Sequence, residues 1–258
     1  MPHMPLLRVV PLESIRRHEE IDPFRVDRLV DRIVSEGIQV NPMVCCEAPG
    51  GELVLLDGAT RTESLKRLGL HHAVVQLVDP GAVELQTWHH VVRGCNPEDL
   101  LDAVSRRPEL SLADSPGTPR LHLKTTASWL VRGIDMSVNA TLTALVDGYI
   151  GRWTVSRVTD PALDTVAWSF PDWTAVTEFP TLTVDDVMAA AVSHDLLPAG
   201  ITRFLVPERA LRLNVSLDLL RSDQTAEKKQ SALDSMLEQR ARDGRVRRYE
   251  EPIYILDD

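Results

Sequence analysis

Apolar positions recur along this chain with two different periods, and their alternation outlines an α/β protein before any chemistry is considered. Leu53 to Leu56 are four apolar residues in a row, short enough for a buried strand. Asp57-Gly58 is a turn pair. From Thr62 to Leu68, apolar Leu65 and Leu68 alternate with charged residues, and Gly69 suits the position just past a helix end. Upstream, Leu6 to Val10 reads as an edge strand before Pro11, and Ile15 to Ile21 as a loop carrying Glu19 and Glu20. Asp22-Pro23 suits an N-cap and first helical residue. Val26, Leu29, Val30, Ile33 and Val34 follow at helical spacing as far as Gly37. Met43 to Cys46 and Ala73 to Val78 complete the strands of a small α/β unit, with a turn at Pro49 to Gly51.

Downstream, Asn96-Pro97 predicts a cap and short helix with Leu100, Leu101 and Val104 inward, and Leu110 to Pro119 reads as a loop. Helices are expected over Val138 to Ile150, over Thr183 to His194 and over Gln224 to Arg242. Thr183 caps the second of these, and Asp185 and Asp186 lie in its first turn, where the dipole favours them. The last presents Ala226, Leu233, Met236 and Leu237 on one face. Strands are expected at Thr202 to Val206, Ala210 to Val215, Arg245 to Glu250 and Pro252 to Leu256. With a boundary between residues 96 and 118, this predicts an α/β domain over 1–95 and a mixed α/β (α+β) domain over 96–258.

Composition narrows the setting. The chain has 258 residues, 43% hydrophobic and 26% charged, enough to bury a sizeable core. No apolar run approaches the length of a membrane span, and the first residues lack the regions of a signal peptide, so a cytoplasmic protein is expected. A formal net charge of −10 argues against broad binding to nucleic acid. Cys45, Cys46 and Cys95 form no CxxC pair, which argues against structural zinc. As neighbours in a strand, Cys45 and Cys46 should face opposite ways, one buried and one not.

The turn after Leu56 is where chemistry enters. A strand feeding a helix through small residues presents backbone amides and the positive end of a helix dipole to an anion. Arg61 adds a planar cation there, and Asp57 a carboxylate able to hold a metal.

Several ordered motifs resemble a known family. His18-Glu19, Pro42-Met43-Val44, Leu56-Asp57-Gly58-Ala59-Thr60-Arg61 and Ser64 to Gly69 resemble the ParB/sulfiredoxin-like fold, and within it the branch that phosphorylates free L-serine. Thr87 to His90, Leu197 to Phe204, Arg209 to Leu220 and Glu251 to Ile255 extend the resemblance over nearly the whole chain. It implies a ParB/sulfiredoxin-like nucleotide-binding N-terminal domain. It also implies a kinase that moves the terminal phosphoryl of ATP, or of ADP, to the hydroxyl of serine with Mg²⁺. The O-phospho-L-serine product would serve siderophore or natural-product biosynthesis.

Carried over by position, Glu19 is the implied catalytic base and Asp57 its partner in catalysis and a magnesium ligand. Gly58, Ala59, Thr60 and Arg61 hold phosphates. Trp88, His90, Thr202 and Arg203 surround the amino acid, with Arg203 suited to its carboxylate and the Trp88 face to its ammonium. Thr60 departs from the family, which has histidine there; a threonine hydroxyl can hydrogen-bond but carries no proton or charge near neutral pH. The rival reading is a nucleotide- or DNA-binding regulator on the same fold, without kinase activity.

Overall fold

Glycine at position 58 lets the chain pass from strand to helix with no intervening loop. Its backbone takes φ 110°, and the helix begins at Ala59, three residues before the position expected from side-chain periodicity. The computed structural model describes residues 4–125 and 127–249. Around this turn the chain builds β1 (Leu6–Pro11), β2 (Ile15–Arg17), α1 (Pro23–Glu36), β3 (Ile38–Gln39), β4 (Met43–Glu47), β5 (Leu53–Asp57), α2 (Ala59–Arg67) and β6 (His72–Leu77). Five strands form a sheet in the order β1-β6-β4-β5-β2, with β1 at its edge as expected. Strand β2 lies parallel to β5 and β4 parallel to β6, while the other two pairings are antiparallel. The segment read as a loop from Ile15 thus supplies the other edge strand.

The chain continues with β7 (Glu84–Thr87), β8 (His89–Arg93), α3 (Pro97–Ser105), β9 (Leu110–Ala113), β10 (Arg120–Leu123) and β11 (Ser128–Gly133). Then come α4 (Val138–Asp147), β12 (Thr154–Val158), α5 (Leu163–Ser169), β13 (Trp173–Glu178) and α6 (Val184–Ser193). The last described elements are β14 (Thr202–Leu205), β15 (Val215–Ser216), α7 (Leu217–Arg221) and α8 (Ala226–Arg242). A second, antiparallel sheet runs β12-β8-β13-β10-β11-β9. Two ribbons, β14 with β7 and β15 with β3, tie the two parts of the chain together.

Helix α6 matches its sequence signature closely: Thr183 and Asp186 form a reciprocal capping box. Elsewhere the structure corrects the sequence reading. Leu110–Ala113 is a strand, because it pairs with β11. Only Val215 of the strand expected at 210–215 is extended in a ladder; Arg212 and Asn214 adopt positive φ, which breaks the strand. Residues 245–249 form no strand, and the strand expected from Pro252, with the Glu251 to Ile255 motif, lies outside the described residues.

The five-stranded sheet is buried on both faces. Val44, Cys46, Val54 and Leu56 pack against Val92, Leu121, Val131 and Ala175 of the second sheet, with Leu142 of α4 and Val187 of α6. Met43, Cys45, Leu55 and Val75 face the other way, onto Ile33, Leu65, Leu220 and Leu233 of the helices. Cys45 and Cys46 do face opposite ways, but both are 0% exposed, because each opens into its own core. Packing does not divide at residue 95 either. Strand β8, N-terminal to that point, belongs to the second sheet, whereas α7 and α8 cover the first. Among the described residues no helix is long and apolar enough to cross a membrane.

Candidate active site

Strands β2 and β5 run parallel, so the residues that follow them emerge at the same end of the sheet. There a cleft of about 490 Å³ opens, lined by Glu19, Asp57, Trp88, Thr202, Arg203 and Arg209 among others. Its far wall is attached to β2 by the backbone: Leu197 N–H donates to the His18 carbonyl (2.9 Å) and Glu20 N–H to the Leu197 carbonyl (2.8 Å).

That attachment brings Glu19 beside residues 200–202. Gly200 N–H donates to Glu19 Oε2 at 2.9 Å, and Thr202 Oγ1 lies 3.4 Å from the same oxygen. Thr202 Oγ1 also sits 3.0 Å from His18 Nε2, while His18 Nδ1 meets the Leu55 carbonyl at 2.6 Å. His18 is 2% exposed, and burial holds its pKa below the usual histidine value against the pull of Glu19. Gly200 has φ 75°, which favours glycine, and a Cβ on it would meet the Arg157 guanidinium at 2.1 Å and push that side chain aside.

The other end of the cleft is built on Asp57. Arg61 donates to its Oδ2 at 3.1 Å and Arg209 to the same atom at 2.6 Å. Burial alone would raise the pKa of Asp57; the two guanidiniums outweigh it and hold the carboxyl below its ordinary value. Behind it, Thr62 N–H opens the bonding of α2 by donating to the Gly58 carbonyl (2.8 Å). The amides of Ala59, Thr60 and Arg61 come before that bond and remain for an anion. Arg61 Nε is buried and has no hydrogen-bond partner among the described residues. A Cβ at Gly58 would lie 2.8 Å from Met43 Cγ and 2.9 Å from Arg61 Nη2, so glycine there also keeps Arg61 in place.

Trp88 and Arg203 meet as a stacked pair: the guanidinium lies 4.7 Å from the ring centroid, and Arg203 Nη1 donates to Gln86 Oε1 at 3.2 Å. Trp88→Ala removes this platform. On the role that the resemblance implies for Trp88, the expected result is a roughly tenfold rise in KM for the amino acid with a smaller change in kcat, readable from steady-state kinetics.

His90, expected at the amino-acid end, is elsewhere. It is 1% exposed and packs in the core, with Nδ1 2.9 Å from the Tyr149 hydroxyl and its ring edge-on to Phe179. The reason is a change of partner at Trp88. Trp88 N–H bonds to the Ile201 carbonyl beside the β7–β14 ribbon, while His90 already belongs to β8 of the second sheet. Burial, reinforced by Arg157, pushes the pKa of His90 down to about 3. In the unfolded chain it titrates near ~6.5, so the unfolded state binds more protons between those values. Stability should therefore fall as pH drops from about 6.5 towards 3, with a slope approaching ~1.4 kcal/mol per pH unit from this group, and His90→Gln should flatten that slope in denaturant titrations.

Arg209 is the cleft residue that sequence reasoning missed as a site residue. It lies 152 positions from its partner Asp57, and its one signal was its place at the start of a motif segment. It rides on a segment with positive φ at Glu208, Arg212 and Asn214, pinned to the first sheet where Gln76 Oε1 accepts from Ala210 N–H at 2.8 Å and Asn41 Oδ1 from Arg212 N–H at 2.8 Å. No group of three or more His, Cys, Asp or Glu among the described residues could hold a metal. Mg²⁺ commonly takes only one or two carboxylates together with substrate phosphates, so Asp57 suits a metal that arrives with a nucleotide.

No protein-family model matches the chain. It is 23% identical over 253 residues to the ATP-dependent L-serine kinase SbnI of Staphylococcus aureus, covering 97% of each chain. It is 29% identical over 101 residues to the ATP-dependent L-serine kinase of Staphylothermus marinus, 38% of this chain and 40% of that one. The structure of C-terminally truncated SbnI superposes with a TM-score of 0.72 at 22% identity, covering 90% of this chain and 96% of that one. A free serine kinase in complex with AMP superposes at 0.74 with 16% identity, covering 84% and 95%. This is the free serine kinase fold. Within that fold, the cleft carries two carboxylates, Glu19 and Asp57, in different settings: one beside a neutral hydroxyl and a backbone amide, the other clamped by cations.

Proposed function

We propose that the protein is a kinase that transfers the terminal phosphoryl group of ATP to the hydroxyl of free L-serine, giving O-phospho-L-serine. The observation that carries this reading is the pairing, in one cleft, of the Glu19 carboxylate with the doubly clamped Asp57 at the mouth of α2. The full-length likeness to a protein named as an ATP-dependent L-serine kinase supports the donor and the acceptor.

Phosphoryl transfer asks the protein for positioning, charge neutralisation and a proton acceptor. The amides of Ala59 to Arg61 and the Arg61 and Arg209 guanidiniums would receive the phosphates. Asp57 would hold Mg²⁺, which neutralises charge on the phosphate oxygens. Arg203, stacked on Trp88, would bind the serine carboxylate and fix the hydroxyl towards Glu19. Glu19 would take the hydroxyl proton as the new phosphate ester bond forms. Thr60 contributes a hydroxyl and no charge, which leaves the side-chain share of the neutralisation to the two arginines.

Incubation with Mg-ATP and a panel of free amino acids, followed by phosphorus NMR, tests the reading. O-phosphoserine formed in preference to other products supports it; no phosphorylated amino acid with any member of the panel overturns it.

A further inference from the structure

His18 lies behind the cleft and touches no part of it that a substrate would occupy, yet its hydrogen bonds dictate how the cleft hydroxyl at Thr202 is oriented. The Leu55 carbonyl can only accept, so His18 Nδ1 carries the proton in the 2.6 Å contact between them. Burial keeps the ring neutral, which leaves Nε2 as a bare acceptor. Thr202 has one hydroxyl proton and two neighbours that want it, His18 Nε2 at 3.0 Å and Glu19 Oε2 at 3.4 Å. The shorter contact takes the proton. Thr202 Oγ1 therefore turns a lone pair towards the Glu19 carboxylate.

In the resting site this is a poor contact, oxygen facing oxygen. It becomes a good one once Glu19 has gained a proton, because a carboxyl O–H can donate to Thr202 Oγ1. The network is complementary to the state that follows proton removal from the acceptor hydroxyl, the kind of interaction that raises kcat and leaves ground-state binding alone. We propose that His18 is a positioning residue for phosphoryl transfer: by accepting the Thr202 proton, it makes Thr202 Oγ1 the hydrogen-bond acceptor for the proton that Glu19 removes from the substrate. In the step itself the substrate O–H breaks, its oxygen bonds the terminal phosphorus, the bond to the nucleoside diphosphate breaks, and the proton rests on Glu19 facing Thr202.

The surrounding charges do not supply this function. Arg157 packs behind Gly200, where Arg25, Glu19 and Asp22 are the charges that act on it. Asp57 acts on His18 only at a distance, and the Phe204 ring stands edge-on to His18 at 5.8 Å between centroids. None of them competes for the Thr202 proton.

This inference rests on the kinase reading, and a double-mutant cycle in kcat tests it. His18→Asn can still donate to the Leu55 carbonyl but is too short to put an acceptor where Nε2 meets Thr202, and Thr202→Val removes the hydroxyl. Each is expected to lower kcat about tenfold, the worth of one hydrogen bond of about 1.4 kcal/mol, with KM for serine and ATP within about twofold. The double variant should lose no more than either single one, and Thr202→Ser should retain most of the wild-type kcat. Single effects that multiply, losses confined to KM, or a Thr202→Ser enzyme as slow as Thr202→Val would overturn the inference and leave the kinase reading standing. Should His18→Asn fail to fold, the Thr202→Val and Thr202→Ser pair still decides on the kcat split. A wild-type protein that makes no O-phosphoserine overturns the kinase reading and this inference with it.

Discussion

Glu19→Gln is expected to lower kcat for serine phosphorylation by about 10²–10⁴-fold, the range for removing a general base, with little change in KM for ATP. The substitution keeps an amide oxygen able to accept from Gly200 N–H, so the attachment of residues 197–202 to β2 survives. What is lost is the capacity to take a proton. Product formation from Mg-ATP and L-serine, followed in single-turnover and steady-state assays, separates the outcomes. A variant that turns over within a few-fold of the wild type would show that Glu19 is not the proton acceptor and that charge neutralisation alone drives the transfer. A variant that loses ATP affinity would instead tie Glu19 to the nucleotide.

Arg209→Met should show the second large effect. Arg209 and Arg61 share Asp57 Oδ2, and both guanidiniums face the region assigned to the phosphates. Methionine preserves much of the length and apolar stem while removing the charge and its donors. A charge-assisted hydrogen bond is worth about 1.5–3 kcal/mol, so kcat/KM for ATP is expected to fall about 10- to 150-fold. Folding should change little, because the pair is partly solvent-exposed. If Arg209 served only to hold its strained segment against the first sheet, the variant would lose thermal stability and keep its kcat/KM. Measuring both quantities on one preparation decides between the two roles.

The sequence revealed the parts of this molecule whose cause is local. The run from Leu53 to Gly69 marks itself as strand, turn and helix, because a short apolar run, a turn pair and an apolar helix stripe lie next to one another in the chain. The capping box at Thr183 and Asp186 is equally local. The second sheet is different. Strands β10 to β13 are short, alternate weakly, and owe their extension to partners far along the chain, as when β10 pairs with β13. No period within 120–137 or 151–182 announces them. The site divides the same way. Glu19, Asp57, Trp88, Thr202 and Arg203 were expected together, and all five line the one cleft. Arg209 escaped because its meaning lies in an ion pair across the fold. His90 misled because its place rested on the resemblance alone, and the change of pairing partner at Trp88 carries it into the second sheet and the core.

The burial of β4 on both sides makes its two adjacent thiols a built-in gauge of global opening. Burial raises the pKa of Cys45, and that of Cys46 to about 11, so neither presents much thiolate near neutral pH. Reagent can reach Cys46 only by parting the two sheets, and Cys45 only by lifting the helices from the first sheet. With enough reagent for labelling to outpace reclosing, a chain that unfolds as one cooperative unit should have both sulfurs labelled at the same rate in the native state, equal to the rate at which the whole molecule opens. Faster labelling of one would identify which layer comes away first.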